Sequence, residues 1–210
     1  MWYRTRVKKF VGLLSDEDAE LLERYATQAR RILEFGAGGS THIMSQAAPA
    51  DARIVTVESD PAWIARVRQD LAQLGMTDRR VRFVGYDVWT RAEDTRGPFD
   101  LIFVDGASDR RLDFATAAWP RLTVGGVMLF HDTRNLASPR HLDNAFATVR
   151  RFLYEVDELR LNEKWRGRPS NLTAIVKKHS APWIDWTRQG DRPAWRFGRG
   201  AVPPSFWRRS

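Results

Sequence analysis

The feature that most constrains the fold is a short apolar strand that breaks into glycines within residues 31–41, RILEFGAGGST. Gly36, Gly38 and Gly39 allow a sharp backbone turn and let a ligand approach the main chain closely. A helix pattern follows at once, and the first turn of that helix offers N–H groups without partners inside the helix. Strand, glycine turn and helix in this order are typical of an open α/β sheet with a ligand site at the turn.

The rest of the chain continues this alternation. Five strands are predicted at Ile32–Phe35, Arg53–Val57, Val81–Val84, Phe99–Val104 and Gly126–Phe130. Helix patterns lie at about 15–30, Thr41–Ala48, Pro61–Leu74, Arg110–Trp119 and Leu142–Tyr154. Two last runs, Leu159–Lys164 and Leu172–Lys177, are too close together for a helical crossover and predict a hairpin. The sequence therefore predicts one α/β sheet with an antiparallel edge.

The net charge of +8 is concentrated at the two ends of the chain. Residues 1–10 carry four basic side chains, and residues 177–210 carry eight against two acids, so the body between them is close to neutral. A nucleic-acid groove is therefore not expected. We divide the chain into a basic segment with a helix (1–30), the sheet domain (31–178) and a basic aromatic tail (179–210). The tail is expected to pack on the domain or at a homo-oligomer contact, with a substrate lid as the alternative.

Two absences in the composition bear on where the protein works. The chain has no cysteine, which excludes disulfides and thiolate catalysis and fits a reducing compartment. It also has no apolar run of about 18 residues, so no membrane span is expected. A cytoplasmic location is the expectation.

Acidic or polar residues follow the predicted strands at the edge where a ligand should bind. They are Glu34, Glu58, Asp87, Asp105, His131 and Asp132. Acids that recur at one edge of a sheet favour a binding site. An acid at Glu58 can accept both hydroxyls of a ribose, which indicates a nucleoside without identifying it. A dinucleotide fingerprint wants a third glycine where this chain has Thr41, and Glu34 would repel a pyrophosphate, so an NAD site is disfavoured.

These motifs resemble those of the class I S-adenosylmethionine-dependent methyltransferases. Residues 33–38, LEFGAG, resemble the first motif of that family, Glu58 sits like its ribose-binding acid, and residues 99–106, FDLIFVDG, are similar to its fourth-strand motif. The resemblance covers about residues 30–178. It implies a Rossmann-like doubly wound sheet of seven strands in the order 3-2-1-4-5-7-6, with strand 7 antiparallel.

The resemblance also implies a role for each residue that matches a motif. Glu34 and the Gly36–Gly38 backbone, including Ala37, would hold the methionine part of S-adenosylmethionine, with Ser40 and Thr41 near its carboxylate. Glu58 would bind the ribose with Ser59 beside it, Asp87 and Val88 would flank the adenine, and Asp105 would lie near the sulfonium. A cationic ligand suits a pocket lined with acids.

Within the family, the chain is similar to the small O-methyltransferases of the catechol type and to their bacterial sugar- and antibiotic-modifying relatives. In the catechol type, an acid after strand four and an Asp-Asn pair after strand five bind Mg²⁺. Asp105 and Asp132 correspond here, Thr133 replaces the asparagine, and Ser108 stands where that type has a lysine. The resemblance thus gives Asp105, Asp132 and Thr133 as a candidate Mg²⁺ site.

The catalytic candidates are Asp105, His131 and Asp132. His131 is either the base that removes a hydroxyl proton or a structural cap of the strand end. Arg110 and Arg111 could hold an anionic substrate, but exposed helix arginines are the commoner case.

The function that we predict is O-methylation of a small-molecule hydroxyl by in-line displacement at the methyl of S-adenosylmethionine. The main alternative is a non-catalytic nucleoside-binding protein that engages a partner through its basic aromatic tail. An NAD-dependent enzyme is the weaker alternative. The acceptor, and the choice between O- and N-methylation, stay open.

Overall fold

The computed structural model describes residues 14–76, 80–107, 109–133, 158–160, 164–165 and 167–177. The basic residues 1–10, the predicted helix at 142–154 and the aromatic tail at 179–210 lie outside the described residues, as does Ser108. The expectations for these segments remain predictions.

The elements alternate along the chain as the hydrophobic pattern predicts. The helices are α1 (Asp16–Ala26), α2 (Gly39–Ala47), α3 (Pro61–Gln73) and α4 (Arg111–Ala118). The strands are β1 (Arg31–Phe35), β2 (Arg53–Val57), β3 (Val81–Val84), β4 (Phe99–Val104), β5 (Leu122–Phe130), β6 (Glu158–Arg160), β7 (Lys164–Trp165), β8 (Arg168–Pro169) and β9 (Thr173–Val176).

One sheet organises the described residues. Its strands lie in the order β3-β2-β1-β4-β5-β9-β6, and β1 to β5 pair in parallel. The β9 strand is antiparallel to both β5 and β6. The predicted single α/β sheet with an antiparallel edge is confirmed. The strand order reverses between β1 and β4, where a ligand crevice is expected.

The predicted hairpin is more elaborate in the structure than in the sequence analysis. The first predicted strand is divided, because β6 ends at Arg160 and a separate ribbon of β7 with β8 lies between β6 and β9. Residues 167–171, which lie between the two predicted strands, belong partly to this small ribbon and partly to the entry into β9.

Two apolar layers cover the sheet, one on each face. On one face α1, α2 and α3 pack on alternate strand residues such as Ile32, Ile54 and Leu101. On the other face Phe114 and Trp119 pack on the intervening residues such as Leu33 and Ile102. Strands that are covered on both faces need a nearly continuous apolar sequence, as these have. Within the described residues, no helix combines the length and the apolar character that crossing a bilayer requires.

Candidate functional site

A cavity of about 580 Å³ opens at the carboxyl ends of β1 and β4. It is lined by Leu14, Gly36, Ala37, Gly38, Gly39, Ser40, Glu58, Trp63, Tyr86, Asp105, Gly106, Ala107 and His131. The position is the reversal point of the strand order, and the volume is that of a small-molecule site. The cavity is lined together by the glycine turn, Glu58 and Asp105. The sequence analysis predicted all three at this edge of the sheet.

The glycine turn passes unusually close to the turn after β4. Gly36 has φ +88°, and a Cβ atom there would lie 2.8 Å from the Cα of Gly106. The Gly36 N–H donates to the carbonyl of Val57, and the Asp105 N–H donates to the carbonyl of Phe35. The two turns therefore meet backbone against backbone, which only glycine allows at position 36.

Glu34 is fully buried beneath this turn rather than facing the cavity. Its oxygens accept from the hydroxyls of Ser40 (2.5 Å), Thr41 (2.7 Å) and Thr56 (2.7 Å). Burial raises the pKa of Glu34 to about 7, against the opposing effect of these hydrogen bonds. Glu34 therefore fastens the start of α2 to β1 and β2, and its contact with a ligand remains a prediction.

Thr41 stands where a dinucleotide fingerprint has its third glycine, and its hydroxyl stabilises the turn. Its hydroxyl donates to Glu34 and accepts from the N–H of Gly38 at 2.9 Å. It fixes the turn from below and does not line the cavity, whereas Ser40 does. The predicted contact of Thr41 with a ligand carboxylate therefore stays a prediction.

Glu58 stands at the opposite wall of the cavity, held by backbone donors. Its Oε1 accepts from the N–H groups of Ser59 (2.6 Å) and Asp60 (3.0 Å), and its Oε2 lies 3.4 Å from the N–H of Ala37. The Trp63 indole donates to the carbonyl of Ala37 at 2.7 Å. The carboxylate and the glycine turn are thereby held in one arrangement.

The turn after β3 meets this wall through Tyr86. The Ser59 hydroxyl accepts from the N–H of Tyr86 at 2.7 Å, and Tyr86 lines the cavity. Asp87 and Val88 are exposed and do not line it; Asp87 lies 3.7 Å from Arg110. The predicted adenine contacts of Asp87 and Val88 remain predictions.

The other end of the site is a cluster of five charged side chains, which we call the charge cluster: Asp18, Asp105, Arg111, His131 and Asp132. His131 is buried, with Nδ1 3.2 Å from Asp105 Oδ1 and 3.5 Å from Asp132 Oδ1. Its Nε2 lies 3.6 Å from Asp18 Oδ2. Burial lowers the pKa of His131, but Asp105, Asp18 and Asp132 outweigh burial and raise it to about 10.

Asp18 enters the cluster from the first turn of α1. It is buried, and burial raises its pKa, but the nearby His131 and the hydrogen bonds from Ser15 and the Asn171 N–H outweigh burial and lower the pKa of Asp18. The Asn171 N–H donates to Asp18 Oδ1 at 2.6 Å. The first helix and the entry to β9 are therefore both fastened to the catalytic candidate His131.

Arg111, the first residue of α4, is the central cation of the cluster. Its Nη2 donates to Asp105 Oδ1 at 2.9 Å and to Asp132 Oδ2 at 3.2 Å. Its side chain is only 6% exposed. The expectation that Arg111 is an ordinary exposed helix arginine is wrong, because α4 begins directly beneath the two acids and directs this side chain under them. Arg110, with its side chain 46% exposed, does fit the expectation.

Of the three predicted Mg²⁺ ligands, Asp105 and Asp132 lie close together, and the Thr133 hydroxyl is directed elsewhere. Asp132 has φ +60° and accepts from the Asn171 amide at 3.1 Å. Thr133 turns away, because its hydroxyl donates to the carbonyl of Asn171 and accepts from Thr173. Donor atoms of Asp105, His131 and Asp132 lie within 4.8 Å of one another, but His131 offers no lone pair when protonated. The Mg²⁺ role of Thr133 remains a prediction that these hydrogen bonds do not favour, and a ligand set that includes His131 does not fit Mg²⁺, which prefers oxygen ligands.

Sequence reasoning missed four contributors to this site: Asp18, Trp63, Tyr86 and Asn171. Asp18 reads as an ordinary acid in a helix first turn, and Asn171 as an ordinary turn residue. Tyr86 had a usable signal, because it lies two residues after the third strand, at the same edge as the acids. Asp18 and Asn171 offer none in the sequence, because only the tertiary fold brings them to His131.

Residues 33–133 match the family model described as "Methyltransferase domain". The chain is 36% identical over 110 residues to a catechol O-methyltransferase of Mycobacterium tuberculosis, covering 51% of this chain and 49% of that protein. It is 37% identical over 83 residues to a catechol O-methyltransferase of Niastella koreensis, covering 37% of this chain and 38% of that protein. The chain thus spans about half the length, or less, of the curated relatives that it matches.

Solved structures share the fold at lower identity. An O-methyltransferase from Bacillus cereus in complex with SAH superposes with a TM-score of 0.65, at 19% identity, over 80% of this chain and 84% of that one. The O-methyltransferase TomG from Streptomyces achromogenes, in complex with SAM, gives a TM-score of 0.61 at 24% identity, over 79% and 82%.

Proposed function

Because the chain is related to the class I S-adenosylmethionine-dependent O-methyltransferases, we propose that it binds S-adenosylmethionine and methylates a hydroxyl of a small molecule. One observation carries the proposal: the glycine turn, Glu58 and Asp105 surround a single cavity at the reversal point of the sheet. The order of these groups is that of methionine, ribose and sulfonium contacts in the family resemblance.

We assign the adenosine end of the cofactor to the wall of Glu58 and Tyr86. Backbone N–H groups already fix the Glu58 carboxylate, so a ribose finds its acceptor preorganised. Tyr86 lines the cavity where the sequence placed Asp87, and it supplies an aromatic wall for the base. Contacts from Asp87 and Val88 require that the turn after β3 moves when the ligand binds.

The methionine end lies over the glycine turn, with Ser40 beside it. Asp105 lines the same cavity and attracts the cationic sulfonium. Glu34 acts through the turn, as a positioning residue, because it holds Ser40 and Thr41 from beneath.

The reaction is an in-line displacement. The acceptor oxygen forms a bond to the methyl carbon while the sulfur–carbon bond breaks, and the sulfonium becomes a neutral thioether. The hydroxyl proton passes to a base. His131 with a pKa of about 10 already holds a proton at neutral pH, so we assign the proton to the Asp105 carboxylate and make His131 its positioning partner. Alignment of the two reactants supplies the rest of the catalysis.

The charge cluster favours a neutral acceptor. Three carboxylates face Arg111 and a protonated His131, which leaves one net negative charge near the reacting end. An anionic acceptor would be repelled there. The names of the two curated relatives suggest a phenolic hydroxyl as the first class to try.

Calorimetry with S-adenosylmethionine and S-adenosylhomocysteine tests the pocket. We expect the wild type to bind both and Glu58→Gln to bind at least about tenfold more weakly, a loss of about 1.4 kcal/mol. Glu93→Gln, an exposed acid in the loop after β3, is the matched control and should bind like the wild type. No binding by the wild type would refute the proposal, and binding of NADH instead would favour the NAD-dependent alternative.

Assays with phenolic acceptors separate an enzyme from a nucleoside-binding protein. A folded protein that binds S-adenosylmethionine but methylates none of a wide panel would support the non-catalytic alternative. A cytoplasmic location, an oligomer contact through the termini, and the division of the chain at residues 30 and 178 remain predictions.

A further inference from the structure

We propose that Arg111 is the resident cation of this site and replaces the divalent metal, so that the protein takes no Mg²⁺ between Asp105 and Asp132. The family resemblance assigns this position to a metal, and in this chain one guanidinium nitrogen lies within hydrogen-bond distance of both acids. The inference that no metal binds here does not depend on the proposed function. What it implies for the methyl acceptor does rest on the proposed function.

Each nitrogen of the guanidinium donates at least one hydrogen bond where it lies. Nη2 donates to Asp105 Oδ1, to Asp132 Oδ2 and to the Asp105 carbonyl (3.2 Å). Nε donates to the carbonyl of Gly106 at 3.1 Å, and Nη1 to the carbonyl of His131 at 3.3 Å. These acceptors come from the ends of both β4 and β5. Arg111 therefore joins the two turns that would otherwise be joined by a shared metal.

Electrostatic repulsion opposes the presence of Arg111 and a divalent cation in the site at the same time. An arginine keeps its charge at every pH that a protein tolerates, so the two carboxylates are compensated permanently. A divalent cation in the same place would bring two more positive charges within a few ångströms of the guanidinium, and in a partly buried site this repulsion amounts to several kcal/mol. Displacing the guanidinium instead would leave a buried, unpaired charge.

The remaining ligand sphere also opposes a metal. Mg²⁺ demands oxygen ligands at about 2.0–2.1 Å in a near-octahedral arrangement. The Asn171 amide donates an N–H toward Asp132 Oδ1, the kind of oxygen that a metal would need as a ligand. The Thr133 hydroxyl is directed to Asn171 and Thr173.

A fixed guanidinium changes what the acceptor must be. A metal can chelate two neighbouring oxygens of a diol and so select for adjacent hydroxyls. The Arg111 side chain is buried beneath the two acids, so its guanidinium is not accessible to an acceptor oxygen. Acceptors with a single hydroxyl should therefore serve as well as their vicinal-diol counterparts, provided that the cavity fits the rest of the molecule.

Titration with Mn²⁺, followed by the electron paramagnetic resonance signal of the free ion, tests the metal question without an acceptor. We expect no stoichiometric binding by the wild type up to about 1 mM, the range of weak association. Arg111→Ala frees both carboxylates and should bind one Mn²⁺ at least about tenfold more tightly than the wild type. Arg110→Ala, the exposed neighbour, is the matched control and should behave like the wild type.

One Mn²⁺ bound per wild-type chain, and lost in Asp132→Asn, would overturn the proposal. So would a folded Arg111→Ala protein that binds no Mn²⁺, because Arg111 would then not be what excludes the ion. If circular dichroism shows that Arg111→Ala does not fold, the wild-type titration decides alone. Calorimetry with S-adenosylhomocysteine on the same wild-type sample tests the proposed function separately, so the two failures are distinguishable.

Discussion

The two ends of the cavity are built in different ways. At the cofactor end, the contacts that fix the site join residues 34–63 and the turn at Tyr86, and they are mostly hydrogen bonds to hydroxyls and backbone N–H groups. At the charge cluster, the contacts are ion pairs, together with hydrogen bonds between segments as far apart as Asp18 and Asn171, 153 residues along the chain. A local motif makes the first end, and only the complete fold makes the second.

The two ends also neutralise their buried acids differently. Glu34 is surrounded by three hydroxyls and no cation, so burial pushes it toward its protonated form. Asp105 and Asp132 instead lie beside two basic side chains, Arg111 and His131. Removing a cation should therefore harm one end, while raising the pH should harm the other.

Removal of the central cation should have the largest effect. Arg111→Met keeps the length of the side chain and leaves two acids without their buried partner, so we expect the free energy of unfolding to fall by about 4 kcal/mol. Urea denaturation measures this. Arg110→Met should change it by less than about 1 kcal/mol, since Arg110 is exposed and its pair with Asp87 is long. Equal losses in the two variants would show that Arg111 does not hold the charge cluster together.

A side chain at the close approach of the two turns should have the next largest effect. Gly36→Ala adds a Cβ 2.8 Å from the backbone of Gly106, at a residue whose φ is +88°. We expect the free energy of unfolding to fall by about 3 kcal/mol. We also expect the variant to lose its binding of S-adenosylhomocysteine. Gly75→Ala shares the positive φ (+72°) with open space around it and should cost only about 1 kcal/mol. The difference measures the clash alone, and a similar cost for both would contradict the close packing.

The buried acid at the cofactor end should make stability depend on pH. The pKa of Glu34 is raised from 4.5 to about 7, so the folded state holds the proton more tightly than the unfolded state does. Its contribution is complete below pH 4.5 and is lost as the pH rises through 7, by about 3 kcal/mol. The unfolding free energy of the wild type should decline over this range relative to that of Glu34→Gln. Parallel pH profiles for the two proteins would refute a raised pKa.

The smallest effect should come from the charge that α1 contributes. Asp18→Asn keeps an oxygen for the Asn171 N–H but removes the negative charge near His131, so we expect a loss of about 1–2 kcal/mol. The pKa of His131, followed by nuclear magnetic resonance, should lie above 6.5 in the wild type and should be lower in the variant. Asp16→Asn, at an exposed acid two residues earlier in the same helix, should leave that pKa unchanged.

The sequence predicted the sheet and the edge at which the cavity lies well, because both depend on local patterns. Apolar runs broken by glycine located β1 to β5, and the acid after each strand located Glu58 and Asp105 at one edge. The orientation of side chains was less predictable. Glu34 faces the α1 and α2 layer because strand residues alternate between faces, and so it holds the turn from beneath. The sequence shows an acid before a glycine but not which face it takes up.

The charge cluster was only half predictable, for a physical reason. Asp105, His131 and Asp132 follow neighbouring strands and could be placed together. The partners of these residues are Asp18 and Arg111 at helix starts and Asn171 at the entry to β9. No periodic pattern in the sequence predicts that these three side chains lie at the site. Arg111 in particular has an ordinary helix-start sequence, and its burial follows from where α4 begins relative to both turns.

The contact of Asp18 with His131 and Asn171 has a consequence for anyone who divides this chain. The stretch that matches the methyltransferase model, 33–133, contains His131 but neither of those two partners. An excised fragment with those limits would keep the glycine turn but lose Asp18, which lies beside His131, and Asn171, which donates to Asp18. A chimera with a relative's first helix would keep the site only if residues 18, 131 and 171 came from one parent.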